Sequence, residues 1–279
     1  MTADRRTNRA DLHVHTTASD GLTTPASLAR LARERGIFVL AITDHDTVAG
    51  IAPAQAAAAE VGVRLIPGVE FSTRASRGQT HILGYGIDPD HPELTRELAA
   101  LRASRVERGW AMLERLAALG IEIDPSAVEV GDGESSPGRP HIARALVERG
   151  YASSVQDAFD RYLSVGRPAF VPRRTLTAER AIELITLAGG IPVLAHPVSV
   201  HDLDVRLGEL VRAGLRGLEA YYGEYDDPTR ERLARLAASW NLLITGGSDY
   251  HGEGGKEGRD LGSVKWPVRY LDAFLSALS

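Results

Sequence analysis

The stretch DLHVHTTASDG, residues 11–21, joins a short apolar strand to a polar loop. His13 and His15 lie two residues apart on this strand, so both side chains point to the same face of a sheet. An amphipathic helix is predicted directly after the loop, over 25–35, and a second apolar strand over 38–44. This order of strand, helix and strand is typical of a βα unit with parallel strands.

The same alternation continues through most of the chain and predicts an α/β barrel. Further strands are predicted over 64–71, 80–86, 191–196, 215–221 and 241–248. Further helices are predicted over 49–61, 178–188, 203–213 and 227–239. Several of these helices begin after Thr, Ser, Pro or Asp and end at glycine, as helix boundaries commonly do. A barrel of this kind fits a chain of 279 residues as a single domain.

The alternation is interrupted between about residues 99 and 166. Helices are predicted there over 92–119, 139–149 and 154–164, and the stretch GDGESSPGRP, rich in Gly, Ser and Pro, is predicted to be a loop. We therefore expect a barrel domain over 1–98 and 167–279, and a helical insert over 99–166 that serves as a substrate lid.

The composition excludes several classes of protein. Hydrophobic residues make up 43% and charged residues 25% of the chain, which is typical of a globular protein. The chain has no cysteine, which excludes disulfides, thiolate zinc sites, iron–sulfur clusters and a cysteine nucleophile. The apolar runs are too short to cross a bilayer, so we expect a cytoplasmic protein with no membrane partner and no obligatory protein partner. The net charge of −5 argues against general binding of nucleic acid, so nucleotide binding would have to be local.

Histidine and acidic residues recur where the predicted strands end. One predicted strand ends at Asp44, His45 and Asp46, and another ends at Glu70. The remaining histidine and acidic residues of this kind are His81, His196, Asp249 and His251. Each of these residues taken alone has an ordinary explanation as a helix cap, a turn residue or a structural histidine. Six strands that deliver such groups to one rim of a barrel would gather uncompensated charge in one space, which favours a metal site.

Histidine and carboxylate ligands without sulfur suit Mn²⁺, Zn²⁺ or Fe²⁺. The candidate ligands are too many for one ion, and a carboxylate such as Glu70 can bridge two ions. We therefore expect two or three divalent metal ions. Clusters of this kind typically clamp the attacking and leaving oxygens in phosphoester hydrolysis.

Taken in order, DLHVHTTASDG, ITDHDT, PGVEFS, HILGYG, VLAHP and GSDYH resemble the motifs of the PHP (polymerase and histidinol phosphatase) family over residues 11–251. The resemblance implies an α/β fold, a distorted TIM-like (β/α)7 barrel, with a trinuclear metal centre. It also implies the ligand sets: His13, His15, Glu70 and Asp249 for one ion, Glu70, His81 and His196 for a second, and Asp20, His45 and His251 for a third.

The helical insert, with SSPGRPHIARALVERGY at 135–151, resembles the branch of nucleoside 3′,5′-bisphosphate phosphatases, whose bacterial members also shorten RNA from its 5′ end. This branch implies a nucleotide or a short single-stranded RNA as substrate. Guanidinium groups bind phosphate bidentately, and a helix start can hold an anion. The candidate substrate contacts are Arg139, His141, Ser136, Arg105 and Arg173, although Arg105 and Arg108 could instead be a solvated helix face.

The hypothesis for the mechanism is hydrolysis by a metal-bound hydroxide that bridges the first two ions and attacks phosphorus in line. Two alternatives stay open. Histidinol phosphate would need nearly the same barrel motifs, and a PHP module could bind metal or nucleic acid without turnover. An insert that carries arginines favours a nucleotide over a small amino alcohol ester, and the complete ligand set favours an enzyme.

Overall fold

The computed structural model describes residues 9–74, 80–128, 138–172, 174–254 and 258–279. The strands are β1 (Ala10–Val14), β2 (Val39–Ile42), β3 (Arg64–Arg74), β4 (Thr80–Tyr85), β5 (Leu176–Thr177), β6 (Ile191–Leu194), β7 (Gly217–Tyr222) and β8 (Leu243–Gly247). The helices are α1 (Pro25–Glu34), α2 (Ile51–Val61), α3 (Pro92–Ala117), α4 (Arg139–Glu148), α5 (Val155–Ala158), α6 (Ala178–Leu187), α7 (Leu203–Arg212), α8 (Asp227–Ser239) and α9 (Val268–Ala277).

Within the described ranges, seven strands form one curved sheet in the order β1-β2-β3-β4-β6-β7-β8, and the short β5 pairs beside β3. The two edge strands approach each other and nearly close the barrel. The amide of His15 donates to the carbonyl oxygen of Tyr250 at 2.8 Å, and the amide of Asp249 donates to that of His13 at 2.8 Å. The predicted distorted (β/α)7 barrel is confirmed.

Strand β4 runs against its neighbours. The sequence pattern predicted parallel strands throughout, which is wrong at this place, because β4 pairs antiparallel with both β3 and β6. Five residues separate β3 from β4, too few for the helix that connects parallel neighbours. His81 therefore lies at the start of its strand and not at the end, and the reversal brings it to the rim where the other strands end.

The helices are amphipathic and pack on the outside of the sheet. Helix α1 begins after Thr24, whose side chain accepts a hydrogen bond from the Ser27 amide, and Pro25 occupies its first turn. Its buried Leu28 packs in the same apolar cluster as Leu40 of β2. Helix α9, which the sequence pattern did not predict, packs Phe274, Leu271 and their neighbours against the core that contains Tyr85 and Trp266.

The insert consists of α3, α4, α5 and a π-helical turn over Phe159–Leu163. It has an apolar cluster of its own, which includes Met112, Leu116, Ile142, Leu146 and Leu163. Helix α3 is continuous, and its first half packs on the barrel through Leu94, Leu98 and Leu101. The division at residue 99 therefore falls inside one helix and stays a prediction. None of the described helices is long and apolar enough to cross a membrane.

Candidate metal centre

Glu70 lies at the centre of the barrel rim, with five imidazoles around its carboxylate. Its Oε1 lies 2.7 Å from His81 Nδ1 and 3.2 Å from His196 Nε2. Its Oε2 lies 3.1 Å from His45 Nδ1, 3.2 Å from His15 Nε2 and 3.4 Å from His13 Nε2. Five histidines from four separate parts of the sequence thus surround one buried carboxylate.

Two further carboxylates complete the cluster. Asp249 Oδ1 lies 3.0 Å from His15 Nε2 and 3.5 Å from His251 Nδ1. Asp20 Oδ1 lies 3.3 Å from His251 Nε2 and 3.9 Å from His15 Nδ1. The structure therefore brings all nine predicted metal ligands into one continuous cluster.

The backbone at the strand ends directs these side chains to the rim. The alternation of side chains along β1, continued into the residue that follows it, places His13 and His15 on one face of the sheet. His196 has φ of 29° and Asp249 has φ of 57°, a region that residues other than glycine seldom adopt. Such backbone conformations are typical of functional sites, where the surrounding structure holds them in place.

The donor set fits divalent metal ions. Three groups of side chains each bring their ligand atoms within 4.8 Å of one another: His15, Asp20, His45 and His251; His13, His15 and Glu70; His45, Glu70 and His81. His13 Nε2 and both ring nitrogens of His15 are buried, and although carboxylate oxygens lie 3.0–3.4 Å from the two Nε2 atoms, none of these nitrogens makes a well-aligned hydrogen bond among the described residues. Buried polar atoms normally have a partner, and nitrogen and oxygen donors without sulfur are those that Mn²⁺, Zn²⁺ or Fe²⁺ accept.

The electrostatics of the cluster keep its carboxylates ionised. Burial alone would raise the pKa of Glu70, but the imidazoles of His45, His81 and His13 hold this pKa well below its ordinary value. The pKa of Asp249 is likewise held well below its ordinary value, against burial, by His13 and His15. Burial lowers the pKa of His45 to about 3, whereas at His15 the carboxylates of Asp249 and Glu70 outweigh burial and raise the pKa to about 10. Metal binds the neutral form of imidazole, so ions that bind here would displace protons from such histidines.

Glu219 supports the cluster from below. It is fully buried, and its Oε1 lies 2.9 Å from His13 Nδ1 while its Oε2 accepts a hydrogen bond of 2.8 Å from the His196 amide. A carboxylate that binds the second nitrogen of a metal-ligating histidine fixes the orientation of the ring. Sequence reasoning missed Glu219, although a charged residue within the apolar strand 215–221 was a signal that could have identified it.

The outer oxygen of Asp249 is held by two residues that sequence reasoning also missed. Tyr222 donates its hydroxyl to Asp249 Oδ2 at 2.8 Å, and Arg259 Nη1 lies 2.7 Å from the same oxygen. Arg259 also contacts the Tyr222 hydroxyl, and its Nε donates to Glu224 at 2.7 Å. These contacts leave Asp249 Oδ1 facing His13 and His15.

Asp44 and Asp46, which flank His45, have different contacts. Asp44 accepts hydrogen bonds from the Thr16 amide and hydroxyl, both at 2.7 Å, and from the Ser19 hydroxyl at 2.6 Å. It thereby fixes the loop that carries Asp20. Asp46 pairs at 2.6 Å with Arg105 of α3 and so joins the insert to the barrel rim.

Two cavities meet at the cluster, and His45 and His81 line both of them. The first, which we call the aromatic cavity, has a volume of about 430 Å³, and its walls beyond the predicted ligands are Val198, Ser199, Tyr222, Glu224, Tyr225 and Arg259. The second, which we call the arginine cavity, has a volume of about 240 Å³ and is lined on the insert side by Arg105, Arg108, Gly138, Arg139, Pro140 and Phe159.

The predicted substrate contacts have different outcomes. Arg105 and Arg139 line the arginine cavity. His141 is buried beside it in α4; burial, and then the charge of Arg144, lowers its pKa to about 4. Ser136 and Arg173 lie outside the described residues. The alternative that Arg108 is a solvated helix residue is wrong, because it is buried and its Nε donates to the Val171 carbonyl at 2.7 Å.

The chain is similar to known proteins over nearly its whole length. A 5′-3′ exoribonuclease from Haemophilus influenzae is 40% identical, with 88% of this chain and 90% of the relative covered. A 3′,5′-nucleoside bisphosphate phosphatase from Chromobacterium violaceum is 36% identical, with 91% of both covered. A phosphoribosyl 1,2-cyclic phosphate 1,2-diphosphodiesterase from Eggerthella lenta is 36% identical, with 88% and 95% covered.

A solved structure from Bifidobacterium adolescentis, described as a metal-dependent phosphoesterase, superposes with a TM-score of 0.86 at 33% identity and covers 96% of both chains. Residues 11–111 match the family model of the PHP domain. Full-length relatives at this identity, the matching fold and the matching domain model lead to one conclusion: the chain belongs to the PHP domain family.

Proposed function

We propose that this PHP-family enzyme, a metal-dependent phosphoesterase, removes the 3′-phosphate of nucleoside 3′,5′-bisphosphates and cleaves the first phosphodiester of 5′-phosphorylated RNA. The observation that carries the proposal is the cluster of nine predicted ligand side chains beside a cavity that Arg105 and Arg139 line. This arrangement offers one place for the reacting phosphate and a second, cationic place for another phosphate of the same substrate. The names of the exoribonuclease and bisphosphate phosphatase relatives agree with it.

We assign the metal ligands as the family resemblance implies, with two or three Mn²⁺, Zn²⁺ or Fe²⁺ ions. One ion would be held by His13, His15, Glu70 and Asp249, a second by Glu70, His81 and His196, and a third by Asp20, His45 and His251. Divalent ions bound there would supply Lewis acidity to the phosphoryl oxygens and lower the pKa of bound water. The central position of Glu70 supports its assignment as a shared ligand.

The residues of the insert bind the phosphate that does not react. The guanidinium of Arg139 lies over the Phe159 ring, with 5.5 Å between Cζ and the ring centroid, and Arg105 is held by Asp46. Both guanidinium groups are therefore oriented before a phosphate binds, which favours bidentate binding of the phosphate. His141 Nδ1 accepts a hydrogen bond of 3.0 Å from the Gly138 amide, so its proton is on Nε2, a buried atom with no hydrogen-bond partner among the described residues.

The same bond, between phosphorus and the 3′-oxygen, breaks in both proposed substrates. The oxygen of water adds to phosphorus, the bond between phosphorus and the 3′-oxygen breaks, and that oxygen leaves as a hydroxyl after it takes up a proton. The products of a bisphosphate are a nucleoside 5′-phosphate and inorganic phosphate. The products of RNA are a nucleoside 5′-phosphate and a shortened chain that again carries a 5′-phosphate. A single site is therefore sufficient for both activities.

Histidinol phosphate fits the site less well. It has one phosphate, and its ammonium group would be repelled by the guanidinium groups of the arginine cavity. A non-catalytic module would not need a complete ligand set with its supporting hydrogen bonds from Glu219 and Tyr222.

The test is a comparison of phosphate ester hydrolysis by the Mn²⁺-loaded protein. The substrates are adenosine 3′,5′-bisphosphate, 5′-AMP, histidinol phosphate and a 5′-phosphorylated RNA oligomer. We expect kcat/KM for the bisphosphate and the RNA to exceed the values for the other two by at least about tenfold, because only they can fill both phosphate positions. A preference for histidinol phosphate would contradict the proposed substrate. No turnover of any substrate would favour the non-catalytic module.

A further inference from the structure

We infer that the aromatic cavity binds the nucleoside that follows the scissile phosphate of an RNA substrate, with Tyr225 as the base-stacking residue. The inference rests on the proposed function and adds a binding site on the barrel side of the metal ligands. It makes Tyr225 the residue that distinguishes RNA from a mononucleotide.

The position of the cavity gives the first argument. Its floor is formed by proposed metal ligands that include Glu70, His81 and His196, and it shares His45 and His81 with the arginine cavity. A phosphodiester placed at these ligands has a nucleoside on each side of its phosphorus. If the 5′-phosphate lies among the arginines, the nucleoside on the far side extends into the aromatic cavity. The volume of about 430 Å³ lies within the range of small-molecule sites.

The chemistry of the walls gives the second argument. The ring of Tyr225 is partly exposed and packs against Tyr222 with 4.9 Å between ring centroids. Val198, on the same wall, is 51% exposed. The Tyr225 hydroxyl accepts a hydrogen bond of 3.0 Å from the Val198 amide, which holds the ring against the wall. An immobilised aromatic ring beside an apolar side chain is a surface on which any base can stack.

The third argument is that the charged residues of the two cavities differ. In the aromatic cavity, Arg259 lies 2.7 Å from Asp249 and 2.7 Å from Glu224, so two carboxylates compensate its charge. In the arginine cavity the guanidinium groups of Arg105, Arg108 and Arg139 outnumber the carboxylates beside them, those of Asp20 and of Asp46, which pairs with Arg105. A phosphate is therefore favoured on the insert side, and an uncharged base and ribose on the barrel side. A nucleoside 3′,5′-bisphosphate carries no second nucleoside and does not contact Tyr225.

The test compares a 5′-phosphorylated diadenylate with adenosine 3′,5′-bisphosphate in the Mn²⁺-loaded protein. The measured quantity is the ratio of the two kcat/KM values, dinucleotide over bisphosphate. We expect Tyr225→Leu to lower this ratio about tenfold, within the range that base–aromatic stacking gives. Tyr225→Phe keeps the ring and should restore most of the ratio. Tyr270→Leu, at a partly exposed tyrosine that lines neither cavity, is the matched control and should leave the ratio as in the wild type.

An unchanged ratio in Tyr225→Leu would overturn the inference, since the ring would then contribute nothing to binding of the second nucleoside. An equal fall of the ratio in Tyr225→Phe would also overturn it, since the contact with Val198 and not the ring would be responsible. If the wild type hydrolyses neither compound, the proposed function itself fails, and the inference fails with it.

Discussion

At the scale of single residues, the sequence predicted which side chains gather at the barrel rim better than it predicted the residues that hold them in place. His45, Glu70 and His196 each follow an apolar run, so their place at a barrel rim could be read directly. The charge of Glu219 within an apolar run marked its position but not its partners, and Arg259 had no such signal, because the roles of both depend on contacts between distant parts of the chain. Glu219 and His13, for example, are 206 residues apart. Only the closed barrel brings such pairs together.

The contact between Tyr222 and Asp249 leads to a prediction about metal affinity. Tyr222→Phe removes the hydroxyl that donates to Asp249 Oδ2 and should weaken Mn²⁺ binding about tenfold, because a supporting hydrogen bond orients the ligand. Calorimetric titration of the metal-free variant with Mn²⁺ measures the effect. Arg235→Met, at an exposed arginine of α8, is the control. Equal Mn²⁺ affinities of Tyr222→Phe and the wild type would show that the hydroxyl does not orient Asp249.

The place of Arg139 in the arginine cavity leads to a prediction about substrate binding. Arg139→Met should raise KM for adenosine 3′,5′-bisphosphate about tenfold or more, because a charged hydrogen bond to phosphate contributes roughly 1.5–3 kcal/mol. The KM for a substrate with a single phosphate should change much less. Arg149→Met, at the exposed end of the same helix, is the matched control. A similar rise in KM for both kinds of substrate would argue against a contact with the second phosphate.

At the scale of elements, seven of the eight strands and the helices between 25 and 239 were predictable from periodicity, whereas the two-residue β5 and the direction of β4 were missed. Periodicity reports which face of a strand is buried and not which way the strand runs. The length of the connection between β3 and β4 contained the missing information, because five residues are too few for a crossover helix. The π-helical turn at Phe159–Leu163 had no signal that distinguishes it from an ordinary helix end.

The start of helix α4 leads to a prediction about pH. The pKa of His141 in the folded chain is lowered from 6.5 to about 4, so between these values the unfolded chain binds a proton that the folded chain does not. The free energy of unfolding therefore falls as the pH falls through this window, and the contribution of His141 is complete above it. Thermal unfolding of the metal-free protein at about pH 7 and about pH 5 measures the fall.

Replacing the histidine isolates its share of this fall from that of the other titrating groups. His141→Gln should lose less stability than the wild type between the two pH values, because glutamine takes up no proton. If the two proteins lose the same stability, His141 is not the group responsible.

At the scale of the whole molecule, the barrel and the insert each contribute what the other lacks. The barrel gathers the nine predicted ligand side chains at one rim, and the insert adds the guanidinium groups of Arg105 and Arg139 above it. The ion pair between Arg105 and Asp46 joins the two parts at the site itself. The overall fold and the cluster could be predicted from the order of motifs. The presence of two cavities with different charge could not, because it depends on how the insert packs on the barrel.

The proposed phosphoesterase activity requires that this cluster holds the ions that carry out hydrolysis. The measurement that tests it is a titration of the metal-free protein with Mn²⁺, in which bound metal per chain and hydrolysis of adenosine 3′,5′-bisphosphate are followed together, with Glu70→Gln in parallel. We predict that hydrolysis is absent without metal and rises as ions bind. In Glu70→Gln we expect hydrolysis to fall by more than about 100-fold, and the amount of bound metal per chain to fall as well. Equal hydrolysis with and without metal, or full metal content and activity in Glu70→Gln, would contradict the account.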